Sequence, residues 1–400
     1  MSVKKIVTPL SKVLPSVRTP VVLGAMAGAS GGDLAGAVSS AGGFGFIGAG
    51  YLTPSNLRGE VTKAYSQLSV VQREVIDQHK RADFGIGILV WRLTEMNGGQ
   101  KPTPETSTSS IKSEVTDFLT AIVEGRPRAI WLSFGDEIEL IEWQRIIADL
   151  DAQINKDLAG NVDESIKWVV MIGREEELRT AVERCRCDVL VVQGCEAGGH
   201  GHSQSPPLSA LLADVLRQLP TLKPNNDANR IPPVLGAGGL ADGRSLASLL
   251  CAGCSGAVFG TRFVVTPEST YADVQKHALV AAKSSQTLRT FAFDDARGTL
   301  GWPTGTDGRG LRNKTVDEYE ADLRGTSTSG SGSGTDKNGA KRRMERYSAA
   351  AKEQDTDRIV IWAGTGIGAI NHITPARQVV HDITHEAVQA LSVANGFVHS

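Results

Sequence analysis

The 400-residue chain has little that would direct it to a membrane or a nucleic acid. No apolar run approaches the roughly 20 residues that a membrane helix needs. The opening stretch "MSVKKIVTPLSKVLPSVRTP" lacks the apolar centre of a signal peptide, because Pro9, Pro15 and Pro20 interrupt it. Neither sign of charge dominates: 42 Lys and Arg face 44 Asp and Glu, for a formal net charge of −2, and no basic block is long enough to follow a phosphate backbone or a lipid surface. No nucleic-acid and no membrane partner is therefore expected, and a small, weakly charged ligand is. Five cysteines in so long a chain are an odd and sparse set, read as reduced thiols rather than a disulfide framework, which predicts a cytoplasmic protein. Nor does a GxGxxG turn follow the first apolar run, which excludes the usual dinucleotide-binding sheet.

Glycine is abundant, at 44 residues, and it gathers at the ends of apolar runs, where backbone must turn or approach something closely. Those runs are "VVLGA" at 21, "GFGFIGAG" at 43, "FGIGILV" at 84, "AIWLSF" at 129, "KWVVMIG" at 167, "DVLVVQG" at 188, "PPVLGAG" at 233 and "GAVFGT" at 256. Each is nearly continuously apolar, as parallel strands covered on both faces are. Between them lie segments with helical spacing, the clearest opening at Asp33, Asp136 and Asp242, good N-cap or first-turn residues. Eight β-α units in succession predict an α/β fold, a TIM (β/α)8 barrel with inserted loops and a C-terminal helical extension. A single domain, 1–400, is expected, with flexible insertions at 97–113 and 325–343 and a further surface insertion at 221–230. A helical segment within 344–400 would pack on the barrel.

A barrel works at the C-terminal ends of its strands. There, Gly238 and Gly239 follow the seventh run, and Gly260 and Thr261 follow the eighth. Their backbone N–H groups would converge on a phosphate, helped by a helix N-terminus. Ala25 and Met26 end the first run, where small residues and a thioether suit a flat ring. In "VLVVQGCEAGGHGHSQSPPL" (189–208), Gln193 offers an amide to a heterocycle and Gly198 and Gly199 leave room beside it. His200 would face the ligand, suited to taking a proton from a carbon acid or to binding an anion. A metal held by Cys195, His200 and His202 is the competing reading, but Cys-x4-His-x-His is no standard zinc signature, so no metal is expected. Cys195 has no assignable base to make it a nucleophile. Cys185, Cys187, Cys251 and Cys254 fall away from the mouth and read as structural thiols.

The stretches "PVVLGAMAGASGGDLAGAVSSAGGFGFIGAGY", "VVQGCEAGGHG", "VLGAGGLADGRSLASLLCAGCSGAVFGTRF" and "WAGTGIGAI" resemble the nitronate monooxygenase family, formerly 2-nitropropane dioxygenases. With "FAFDDARGTLGWPTGTDGRGLRN" the resemblance is to its fungal branch. It implies non-covalent FMN and the oxidation of an alkyl nitronate by O2 to a carbonyl compound and nitrite. It also implies flavin-ring contacts from Ala25, Met26, Gln193, Gly198 and Gly199, and phosphate contacts from Gly238, Gly239, Gly260 and Thr261. His200 takes the place of the family's catalytic histidine. Two departures stand out: "LGAMAG" replaces the commoner "QAPMAG", and Gly87 in "FGIGIL" stands where many members have an Asn that touches the flavin. A flavin-dependent enoyl or quinone reductase using NAD(P)H, and a flavin-binding protein without turnover, are the other readings; a homo-oligomer is compatible with all three. The walls of the pocket are expected to come partly from 291–313 and from the insertions.

Overall fold

The computed structural model describes residues 5–77, 80–158, 161, 164–222, 231–327 and 337–397. Eleven strands occur among them: β1 (Val21–Leu23), β2 (Phe46–Gly48), β3 (Ala82–Leu89), β4 (Pro127–Ser133), β5 (Lys167–Ile172), β6 (Val189–Gln193), β7 (Gly199–His202), β8 (Val234–Ala237), β9 (Gly256–Phe259), β10 (Thr287–Thr290) and β11 (Thr306–Leu311). All except β7, β10 and β11 form one sheet in the order β1-β9-β8-β6-β5-β4-β3-β2, with every neighbouring pair parallel. A parallel bridge from Val22 to Phe44, just before β2, brings the two edges together. The result is the expected TIM barrel.

The barrel strands are apolar over most of their length because alternate residues face two different cores. Phe46, Trp131, Val169, Val191, Leu235 and Val258 fill the barrel interior, and Leu10, Leu14 and Val17 close its N-terminal end. Their strand neighbours, Ile47, Ile130, Leu132, Val170 and Val192 among them, pack outward under the helices. Two of the expected helix starts are capping boxes. Asp136 accepts a bond from Glu139 N (2.9 Å) while Glu139 accepts one from Asp136 N, and Asp242 accepts one from Ser245 N (2.9 Å). Asp33 instead sits in the first turn of Gly32–Ser40 and accepts a bond from Gln67, tying two helices together.

After β9 the chain does not pass directly to a last barrel helix. It crosses the barrel mouth with β10, the helix Ala292–Arg297, β11 and the helices Lys314–Ser327 and Lys337–Glu353. Only then does Ala376–Asn395 drop into the outer layer, against Gly32–Ser40, Gly243–Cys251 and β1. The approach is close: a Cβ on Gly243 would lie 2.3 Å from Ile383 O, and Gly243 N donates to Glu386 Oε2 at 2.9 Å. Segment 97–113 leaves the helix Val90–Met96 and is bridged by Asn97, which donates to Gln100 O (2.9 Å) and accepts from Lys112 N (3.1 Å). Of the two other insertions expected from sequence, residues 223–230 and 328–336 lie outside the described residues. The flanks of the second, up to Ser327 and from Lys337, are helical.

Candidate active site

A cavity of about 430 Å³ opens at the C-terminal ends of the barrel strands, within the range of roughly 300–1,000 Å³ usual for small-molecule sites. All ten residues singled out from sequence line it, from Ala25 and Met26 to Gly260 and Thr261. Apolar side chains, including Trp131, Met171, Leu52 and Val264, make much of its wall.

The polar stretch after β6, expected as a loop, is in part a strand. β7 pairs antiparallel with β11, which pairs with β10, and His200 lies opposite Gly308. This small sheet, standing over the barrel mouth, holds His200 by its backbone. Three further contacts hold the ring. His200 Nε2 lies 3.0 and 2.9 Å from the two carboxylate oxygens of Asp294, and the ring stacks on Trp302 (centroids 3.7 Å, planes 13° apart). Its edge meets Trp362, with centroids 4.9 Å apart. Asp294 is fully buried and also accepts a bond from Thr299 Oγ1 at 2.7 Å. A carboxylate against Nε2 favours the tautomer protonated there, which leaves the Nδ1 lone pair as the ring's basic site. Trp362 can reach the ring because Gly308 has no side chain: a Cβ there would lie 2.5 Å from the indole.

On the opposite side, three loops nest by their backbones. Gly238 (φ 124°) and Gly239 (φ 70°) both adopt left-handed conformations, costly to any other residue. A Cβ on Gly366 would meet Gly239 O at 2.5 Å, and one on Gly198 would meet Gly364 N at 2.5 Å. Gly260 faces open space but for Met26 Sδ, 3.4 Å from where its Cβ would be. Thr261 Oγ1 accepts a bond from Gly364 N (2.9 Å), leaving its own proton to donate. Of the two helices that start beside these loops, the one after Gly239, Gly243–Cys251, has its N-terminus already occupied. Asp242 caps it and Glu386 accepts from Gly243 N, which leaves for an anion the loop backbone, the Thr261 hydroxyl and the first turn of the short helix Thr261–Val264, whose N-cap Gly260 makes no side-chain cap.

The absence of a side chain at position 87 has a steric cause. A Cβ built on Gly87 would overlap that of Ala25, at 2.2 Å. Gln193 ends β6 and donates to His200 O (3.3 Å), so its amide braces β7 as well as lining the cavity. Cys195 accepts a bond at its carbonyl from Arg309 Nε (3.0 Å). His202 lines a second cavity with Arg174 and Glu177, where burial and then the Arg174 charge push its imidazole below the ordinary value. Cys185, Cys187 and Cys254 are buried and Cys251 exposed; burial raises Cys185 to about 12 and Cys254 to about 11.

Several residues at the site were not singled out from sequence: Asp294, Arg297 and Trp302, within the 291–313 segment expected to supply part of the wall, and Trp362, Tyr51 and Tyr271. The one local signal was an acidic pair set beside two phenylalanines in "FAFDDARG", since a carboxylate among aromatics is a carboxylate due for burial.

A TIM barrel whose mouth combines a glycine-rimmed cavity with a carboxylate-held histidine belongs to the class that binds a small molecule over the C-terminal strand ends. A family model described as nitronate monooxygenase matches residues 8–70 and 137–386, and the chain belongs to that family of oxidoreductases. The unmatched stretch between them carries β3 with Gly87. A nitronate monooxygenase of Neurospora crassa is 26% identical over 99% of this chain and 96% of its own. The nitronate monooxygenase npaC of Metarhizium robertsii is 27% identical over 94% of each chain. Among solved structures, FabK from Thermotoga maritima superposes with a TM-score of 0.68 at 23% identity, covering 98% of this chain and all of that one. Nitroalkane oxidase from Streptomyces ansochromogenes gives 0.62 at 24%, covering 96% and 99%. These two likenesses bear on the fold.

Proposed function

We propose that the protein oxidises alkyl nitronates with O2 to a carbonyl compound and nitrite, using FMN, and that His200 acts as base or as substrate-orienting residue. The observation that carries the reading is the His200–Asp294 pair at the mouth of a cavity rimmed by glycine backbone. The cavity fits FMN in two respects. Loops at Gly238–Gly239 and Gly260–Thr261, backed by Gly364 and Gly366, offer close backbone approach and a hydroxyl donor where a phosphate would be held. Ala25, Met26, Gln193, Gly198 and Gly199 line the barrel mouth where a planar ring would rest. FMN supplies the electron acceptor for the substrate and the means of passing electrons to O2.

The chain's own residues supply orientation and proton handling. With Nε2 held by Asp294, His200 Nδ1 can accept a proton from the α-carbon of a neutral nitroalkane. The C–H bond breaks, its electron pair moves into the nitro group, and the product is the nitronate. A nitronate that arrives ionised needs no such step, and the imidazole then only orients it. Trp302 and Trp362 fix the ring between them and shield it from water.

The test is an anaerobic absorbance spectrum of the FMN-loaded protein mixed with ethyl nitronate and, separately, with NADPH. Bleaching by the nitronate alone is expected. Bleaching by NADPH alone would replace this reading with a reductase, and a protein that takes up no flavin would remove it.

A further inference from the structure

The helix Ala292–Arg297 carries two opposite charges one turn apart, Asp294 and Arg297. Such i, i+3 neighbours commonly pair with each other. Here they do not: the Asp294 carboxylate is taken by His200 and Thr299, and Arg297 makes no hydrogen bond or ion pair among the described residues. Its side chain lines the large cavity instead, half-buried, close enough to Tyr51, Tyr271 and Tyr347 to act on their hydroxyls. Among the described residues the lining contains no Asp or Glu, and Arg297 is its only Lys or Arg. A guanidinium in a largely apolar cavity without a counter-charge is costly, and the ligand is left to provide the anion.

We infer that Arg297 docks a planar oxyanion of the substrate, placing it beside His200. Guanidinium presents a flat fork of donors that matches two oxygens held in one plane, the shape shared by a nitronate head and a carboxylate. Lysine supplies the charge without the fork. The inference rests on the nitronate reading and names its binding determinant. It separates Arg297 from the glycine loops, which reach the cavity from β6, β8 and β9, whereas Arg297 shares a helix with the partner of His200.

The experiment compares the full-length FMN-loaded protein with Arg297→Gln and Arg297→Lys. Inorganic nitrate, a planar oxyanion that cannot be turned over, is titrated while flavin absorbance and tryptophan fluorescence are followed. A saturable change is expected, with Kd at least tenfold higher in Arg297→Gln and partly restored in Arg297→Lys. In steady-state assays, Arg297→Gln should raise KM for ethyl nitronate about tenfold with a smaller change in kcat, and raise KM for neutral nitroethane less, because that substrate binds without a full charge. A rise confined to a carboxylate-bearing nitronate, propionate 3-nitronate, would assign the fork to the substrate's tail rather than its head. Unchanged nitrate Kd and unchanged KM for both nitronates would overturn the inference. So would an unchanged nitrate Kd with a tenfold weaker FMN Kd, which would place Arg297 on the cofactor. Nitrate binding that depends on Arg297 in a protein inert to every nitronate would keep the anion site and sink the nitronate reading.

Discussion

In the proposed reaction His200 would serve as a base only as long as Asp294, against Nε2, keeps its Nδ1 unprotonated. Asp294→Asn replaces a carboxylate by an amide whose N–H can donate to Nε2, which turns the ring to the other tautomer. The expected result is a loss on the order of 10²-fold in kcat/KM for neutral nitroethane, set by the usual worth of a general base. Ethyl nitronate, already ionised, should lose much less. Equal losses on both substrates, measured across a pH profile with FMN binding checked, would leave Asp294 a merely structural acid. Gly87 raises a question of space rather than of protons. Because Ala25 Cβ lies 2.2 Å from where a side chain would begin, Gly87→Asn should not restore a flavin contact. It should cost about 1–3 kcal/mol through overpacking, read as a lower Tm both with and without FMN.

Among the elements, the sheet of β7, β10 and β11 has the largest consequence, since it turns a glycine-rich connection into a rigid support for the histidine. Its register places Gly308 against His200 and beneath Trp362. Gly308→Val should push the indole aside and release one face of the imidazole, so that turnover falls while the circular dichroism spectrum stays unchanged. Unaltered kcat/KM in that variant would show that Trp362 does not position His200. Local pattern did not disclose this sheet. "GHGH" has no apolar alternation, and its partner strand lies about a hundred residues later, so nothing nearby marks it as β.

Across the whole molecule, the two ends of the barrel divide the work. At the N-terminal end Arg81, 2% exposed, pairs with Asp151, and Arg128 pairs with Glu164 at 2.9 Å. Arg81, Arg128 and Glu164 are buried and Asp151 is partly so, and none of the four lines the cavity, so they serve the fold. Asp151→Ala leaves a guanidinium without its partner and should cost about 3 kcal/mol of stability, read from urea unfolding. The kcat/KM of the folded fraction should be unchanged, and a selective loss of activity would contradict this division. Chain order is likewise divided. The last barrel helix, Ala376–Asn395, comes more than a hundred residues after β9, because the intervening chain first builds the roof over the site. A sequence read unit by unit expects a helical extension there, since a helix looks the same wherever in the layer it is placed.

What the sequence determined by itself is what short-range physics controls. Apolar runs of strand length made the eight barrel strands legible, acidic caps marked Asp136 and Asp242, and glycines ending the strands marked one wall of the cavity together with His200. Tertiary structure alone decided the chemistry of that histidine. Asp294 lies 94 residues away in the chain, and Arg297, Trp302 and Trp362 lie farther still. No periodicity links them, because each is placed by the path of the roof across the barrel mouth. Burial and turns are set by neighbours along the chain, whereas the carboxylate against His200 and the partners that Arg297 does or does not find are set by whichever groups the completed fold brings within hydrogen-bond reach.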